Sequence, residues 1–329
     1  MGYKEFDIRV PVNISDAELK NFVSKKTGIT NFSFYIVLKS LDARNKNNIC
    51  WQYRVGIESD EITVGEKPLF KSIEIPIEKY SQKAVVVGSG PAGIFSAIVL
   101  ATAGMKVTLI ERGSQVQIRK QRIFDFEQNT DFNDNNNYAF GEGGAGTFSD
   151  GKLTSRTKSI SLERNFIFKS FVDAGAPEEI MYMTHPHLGS DNLFQITSNL
   201  RNRFLELGGE ILFDTFLEDI KIQNNQVVQA ITSAGVIDAD IFIFAPGHSA
   251  YETYRMLIRN GVPFQLKNFA IGIRAEHPQL LINKAQWGVE RLPGVKAAEY
   301  RLTSNEGAKN PVYSFCMCPG GIIVPSTAY

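Results

Sequence analysis

Three glycines, Gly88, Gly90 and Gly93, stand at GxGxxG spacing inside the stretch "KAVVVGSGPAGIFSAIVLATAGMKVTLIERG". At such a site each glycine has its own task. The first permits a tight turn, the second lets backbone approach a diphosphate, and the third lets a helix pack close on a strand. Ser89, Pro91 and Ala92 fill the positions between them and lead into a helix. The start of that helix offers unpaired N–H groups and partial positive charge to an anion. Glu111 lies 18 residues beyond Gly93, at the end of the next apolar run. An acid there accepts hydrogen bonds from a ribose and disfavours a 2′-phosphate, so the spacing predicts a site for FAD or NAD rather than NADP.

The elements that must position these residues are legible around them. "AVVVG" and "KVTLI" are unbroken apolar runs, as expected of parallel strands buried on both faces. Between them, "PAGIFSAIVLATAG" is apolar nearly all round and reads as a buried crossover helix. A second glycine cluster, "FGEGGAGTFSDGKL", places Gly143, Gly144 and Gly146 so that successive backbone N–H groups are exposed, as in an anion nest or a close approach to a flat ring. Further on, "LFQITSNLRNRFLELGG" reads as an amphipathic helix. "EILFDTFLEDIKIQNNQVVQAITSAGVIDADIFIFAPG" reads as several short strands with a hairpin turn at "QNNQ".

Ahead of this lies a small module. "EFDIRVPV" alternates as a strand. Ser15 and Glu18 form a capping box for a helix that stops at Gly28, and two more β-rich runs flank "RNKNN". The reading is α/β: a Rossmann-like dinucleotide-binding domain with a parallel central sheet over 81–260, a small N-terminal α+β module over 1–80, and the beginning of a β-rich substrate domain over 261–329.

Other chemistry is weaker. His185 and His187 stand two apart with Asp191 nearby, but the other two histidines, His248 and His277, lie in separate motifs, and the expectation is no metal. Cys316 and Cys318 form CxC rather than the CxxC of disulfide reductases. No nucleophile–base or paired-carboxylate pattern stands out, so no catalytic residue is assigned. Thirty-five basic residues balance thirty-five acidic ones, which argues against nucleic acid and membrane surfaces as partners. No secretory leader and no apolar run of membrane-spanning length is present, so the expected location is cytoplasmic.

The motifs "GSGPAG", "ERG", "FGEGGAGTFSDGKL", "HPHLGSDNL", "FAPGHSAYETY", "FAIGIRAEHPQ" and "YSFCMCPGG" together resemble a bacterial family of FAD-dependent dehydrogenases with a glutathione-reductase-like FAD-binding fold. The resemblance implies bound FAD, hydride transfer to or from the flavin, NADH or NADPH as candidate electron donors, and a small-molecule substrate of unassigned identity. It implies that Gly88, Ser89, Gly90, Pro91, Ala92 and Gly93 hold the pyrophosphate, Glu111 the adenosine ribose, and Arg112 the adenine or a phosphate. Gly143, Gly144, Ala145, Gly146 and Thr147 would lie along the ribityl chain and flavin. Phe216 would meet the adenine through its backbone, with Ala245 and Gly247 closing over the adenosine half. The chain departs from the family at Pro246, where Thr is usual, and so loses a hydroxyl there. Relatives complete the flavin site with a later glycine-rich segment, so a chain ending "GGIIVPSTAY" is expected to be a fragment of a longer one. The competing readings are an FAD-binding sensor or assembly module without turnover, and an RNA-modifying flavoprotein that the balanced charge disfavours.

Overall fold

The computed structural model describes residues 1–129, 131–155, 157–304, 311–315 and 317–325. The chain divides into two compact units, each built from discontinuous segments. One comprises Met1–Lys71, Glu178–Pro186 and Arg274–Ile323; the other comprises Ser72–Pro177, His187–Ile273 and Val324–Tyr329.

The first unit begins with β1 (Gly2–Pro11), α1 (Asp16–Thr27), β2 (Ser33–Asp42) and β3 (Cys50–Ser59). The strands form an antiparallel sheet in the order β1-β3-β2, with Gly2 opposite Ser59 and Pro11 opposite Cys50. Helix α1 starts where its capping residues dictate. Glu18 N–H donates to the Ser15 hydroxyl (3.3 Å) and Ser15 N–H donates to the Glu18 carboxylate (2.9 Å). It stops at Gly28, whose φ of 75° is left-handed. Leu19 and Val23 of α1 pack with Ile8, Val10, Trp51, Tyr53, Val55 and Ile57, the alternate positions of the strands, to make this unit's core.

The second unit opens with β4 (Lys83–Val87), α2 (Pro91–Thr102) and β5 (Lys106–Ile110), the strand–helix–strand order expected around GxGxxG. Then come α3 (Val116–Asn129), α4 (Ser161–Asp173), α5 (Ser190–Glu206), β6 (Glu210–Leu212), β7 (Leu217–Gln223), β8 (Gln226–Thr232), β9 (Gly235–Asp238), β10 (Ile241–Phe244) and α6 (Tyr251–Arg259). Strands β10, β4, β5 and β6 form one parallel sheet in that order. The unbroken apolar runs follow from burial on both faces. Val85 and Val87 join the core shared with β7, β8 and α6, while Val86 faces α2. Strands β7, β8 and β9 form a separate antiparallel sheet. Their first turn is Asn224-Asn225, with φ of 49° and 62°, the paired left-handed conformation that two-residue hairpins require and Asn tolerates.

The first unit's last segment carries α7 (Gln279–Trp287) and a short ladder of β11 (Thr303–Ser304) with β12 (Val312–Tyr313). Among the described residues no helix is long and apolar enough to cross a membrane.

Candidate cofactor site

The site is built at the carboxyl ends of β4, β5 and β10, where open parallel sheets place their ligands. After Val87 the chain turns through Gly88, at φ 96°. A side chain there would meet the Ala245 carbonyl at 2.3 Å. Gly88 N–H donates to the Ile110 carbonyl (2.8 Å) and Ala245 N–H to that of Val87 (2.8 Å), tying the three strand ends together. Helix α2 then begins at Pro91 with no side-chain cap, leaving its first N–H groups directed at the loop's mouth. Gly93 lies beneath, so close that a Cβ would stand 1.8 Å from the Gly88 carbonyl oxygen.

Folding brings the second glycine cluster to the first. Gly143 N–H donates to the Ser89 carbonyl (3.2 Å), and a Cβ on Gly144 would sit 3.0 Å from Gly90 Cα. The two clusters share one wall of a cavity of about 680 Å³, within the roughly 300–1,000 Å³ range of ligand pockets. Of the residues singled out in the sequence, Gly88, Gly90, Pro91, Ala92, Glu111, Arg112, Gly144, Ala145, Phe216, Ala245 and Gly247 line it. Ser89, Gly93, Gly143, Gly146 and Thr147 are not among the lining residues; Ser89 and Thr147 are buried behind it. Cys316 lies outside the described residues. His185 is exposed in the first unit, whereas His187 is half-buried in the second.

Two sequence expectations meet a crowded environment. The Glu111 carboxylate, 5% exposed, accepts from Ser89 N–H (2.8 Å), the Ser89 hydroxyl (2.7 Å), Gly113 N–H (3.0 Å) and Gly141 N–H (3.1 Å). At Phe216 both backbone groups are used by Ser233: its N–H donates to the Ser233 hydroxyl (3.2 Å), and its carbonyl accepts from Ser233 N–H (3.1 Å). What Phe216 offers the cavity is its ring, 38% exposed, with the Arg112 guanidinium 5.8 Å from its centroid and 4.1 Å from that of Phe140. Arg112 is held by the Asn135 side chain (3.2 Å) and by Glu252 (3.5 Å).

Three residues that carry the site went unread in the sequence. Arg119 on α3 is fully buried. Its Nε donates to the Asn137 carbonyl (2.9 Å) and its Nη1 to the carbonyls of Gly141 (3.2 Å), Glu142 (2.7 Å) and Gly144 (2.8 Å). Burial pushes the guanidinium down to about 10, partly offset by Glu111 and Glu142, so it stays cationic at neutral pH. Glu142 accepts from Val116 N–H (2.7 Å) and pairs with Arg201 (2.8 Å). Its carboxyl is nevertheless raised, because burial outweighs those contacts. Nothing in local spacing marks Arg119 or Arg201, since basic residues on helices are ordinarily solvated. His248 also lines the cavity, its Nδ1 3.2 Å from the Ser249 hydroxyl.

The arrangement suits a molecule with a diphosphate at its middle: uncapped helix N–H groups, backbone bared by glycine, and a ring-and-guanidinium stack at one side. Two family models match the chain. Residues 81–127 match the FAD binding domain, and residues 268–329 match the FAD-dependent protein, C-terminal domain-like family. Both matched models describe FAD-dependent proteins. The chain is 40% identical over 307 residues to an uncharacterised protein of Clostridium beijerinckii, the match covering 89% of the chain and 57% of that relative. Thus the chain spans little more than half the length of the curated relative it matches. Solved structures similar to it include L-proline dehydrogenase from P. horikoshii (18% identity, TM-score 0.31, 58% of each chain). Another is glycine oxidase from Bacillus cereus (16% identity, TM-score 0.30, 55% of this chain and 59% of that one).

Proposed function

We propose that this chain is the dinucleotide-binding part of an FAD-dependent oxidoreductase acting on a small organic molecule. The observation that carries this reading is the convergence of the uncapped start of α2 with Gly88, Gly90 and Gly144 on one cavity. Gly90, Pro91 and Ala92 would receive the diphosphate, whose charge the helix start offsets. Arg112, stacked on Phe140, would cover the adenine, with the Phe216 ring beside it. Gly144 and Ala145 supply backbone narrow enough to lie along the ribityl side, and Ala245 and Gly247 bound the adenosine half. When bound, FAD supplies the hydride acceptor, and NADH or NADPH are candidate donors. This chain's own residues contribute binding, orientation and exclusion of water; no group here is assigned to proton transfer.

The recombinant chain is expected to carry visible flavin absorbance, with heat-released cofactor identified as FAD. Under anaerobic conditions that absorbance should bleach with NADH, NADPH or an oxidisable small molecule. Flavin that is tightly held and reduced by none of a broad donor panel would favour a non-catalytic binding module. A folded, colourless chain that fails to take up added FAD would sink the reading. Within it, Arg112→Ala should weaken FAD binding by about 5- to 30-fold, the worth of a partly desolvated cation–π contact. Binding followed by flavin fluorescence quenching checks this, and an unchanged affinity would remove Arg112 from the site.

A further inference from the structure

Between α6 and α7 the chain runs through residues 262–278 without forming a helix or strand. Its start is anchored: Val262 packs on the core of the second unit, and the Phe264 ring meets Tyr254 edge-on, with centroids 6.1 Å apart. Beyond that point large apolar side chains stand in solvent. Leu266 is 99% exposed, Phe269 87%, Ile271 93% and Ile273 97%. Among the described residues, no hydrogen bond reaches the backbone of residues 264–273. A Cβ built on Gly272 meets nothing within 4 Å.

The spacing of this run is that of a strand. Phe269, Ile271 and Ile273 alternate with Ala270 and Gly272, so an extended chain puts three large apolar side chains on one face and two small residues on the other. No residue of the run has a positive φ, so extension needs no strained backbone. A strand left with its N–H and C=O groups unpaired and an apolar face in water is a template for another strand. Local partners are lacking: among the described residues of 268–329, the one ladder is the two residue pairs of β11 with β12. The match to the C-terminal domain-like family begins at residue 268, inside this run. The curated relative is matched over 57% of its length, so it carries a further stretch with no counterpart in this chain.

We propose that residues 267–273 form an edge strand to which a separate polypeptide adds a strand of its own, and that this polypeptide is the equivalent of the part of the relative outside the match. Main-chain hydrogen bonds hold the two strands together. Apolar side chains of the added element cover Phe269, Ile271 and Ile273, and bulkier groups fit over Ala270 and Gly272. The pairing requires no flavin, so it stands or falls apart from the oxidoreductase reading.

The test mixes the intact chain with that part of the Clostridium beijerinckii relative, expressed as its own polypeptide. Light scattering after size exclusion should show a one-to-one complex. Amide exchange in the complex should slow at least about tenfold over residues 267–273, because paired strand amides exchange only on opening. Phe269→Asp combined with Ile271→Asp should weaken the complex at least about 100-fold, since two apolar contacts are lost and two charges must be desolvated. Both side chains are exposed in the free chain, so its own thermal melt should not change. Val236→Asp, which removes an exposed apolar side chain from β9, should bind like wild type. No complex, a complex without protection at 267–273, or one that the double variant leaves intact would overturn the proposal. Slow exchange at 267–273 in the chain alone would overturn it too, whether it comes from the chain's own fold or from dimers that grow with concentration and make a second copy the occupant.

Discussion

Arg119→Ala is expected to destabilise the second unit by about 3–5 kcal/mol, the usual consequence of breaking a buried charged network. The residue has no exposed surface, and its guanidinium serves four carbonyls of the segment from Asn137 to Gly144. It also lies over the Phe148 ring at 4.8 Å. Alanine would leave those carbonyls without donors, open a cavity, and take a positive charge from beside Glu111 and Glu142. A fall in Tm on the order of 5–15 °C should follow, together with loss of bound flavin, because the second glycine cluster would no longer be held against the phosphate loop. Arg119→Lys should recover only part of the loss. A lysine keeps the charge but is a single point donor, unable to span Asn137 and the 141–144 turn as the planar fork does. Thermal melts of the apo protein, with bound flavin quantified separately in the protein as purified, check both statements. A Tm within a degree of wild type would show that the carbonyls find other donors and that the network does not carry the loop.

The second large effect is expected from Gly93→Ala. The backbone at Gly93 is helical, so a methyl group there costs nothing in conformation, and helix propensity alone would favour alanine. The obstacle is the Gly88 carbonyl oxygen, 1.8 Å from where the Cβ would sit, with Val86 Cγ1 at 3.5 Å behind it. Neither can withdraw easily. Gly88 is fixed by its N–H bond to the Ile110 carbonyl, and Val86 belongs to a buried strand of the parallel sheet. Helix α2 must therefore lift away from β4, moving its first N–H groups relative to the cavity. Overpacking of this kind costs about 1–3 kcal/mol. The cost to FAD binding should be larger, at least about 100-fold, because the diphosphate depends on the placement of those N–H groups. Gly146→Ala is the control: a Cβ there meets nothing within 4 Å, and the residue does not line the cavity. Affinity of Gly93→Ala within tenfold of wild type would show that α2 can shift without disturbing the phosphate site.

Both predictions concern atoms behind the cavity wall, and there sequence and structure part company. The strand–helix–strand around Gly88, Gly90 and Gly93 was legible because its signals are local. Apolar runs mark buried strands, a proline-led apolar stretch marks the crossover helix, and glycines mark turns that bear no side chain. The same holds for the capping box at Ser15 and Glu18 and for the hairpin turn at Asn224 and Asn225. In each case a few adjacent residues fix the backbone through hydrogen bonds or steric limits that neighbours in the chain supply by themselves.

What the sequence by itself determined, then, is the nucleotide-binding element, the site glycines and the local start and stop signals. Only tertiary structure decided which distant segments share a wall. Residues 143–144 meet Ser89 and Gly90, and Ala245 closes on Gly88. Segments far apart in order assemble into the same compact unit. It also decided what the charged residues do. Glu111, marked by spacing alone, is held by donors 22 and 30 residues away in the chain, at Ser89 and Gly141. Arg119 and Arg201 show no local mark at all. Their role arises because a glycine-rich segment, lacking side chains to satisfy or anchor its own backbone, needs buried donors from the helices packed beside it. A long-range hydrogen bond has no period and no motif; it exists only once the chain has folded.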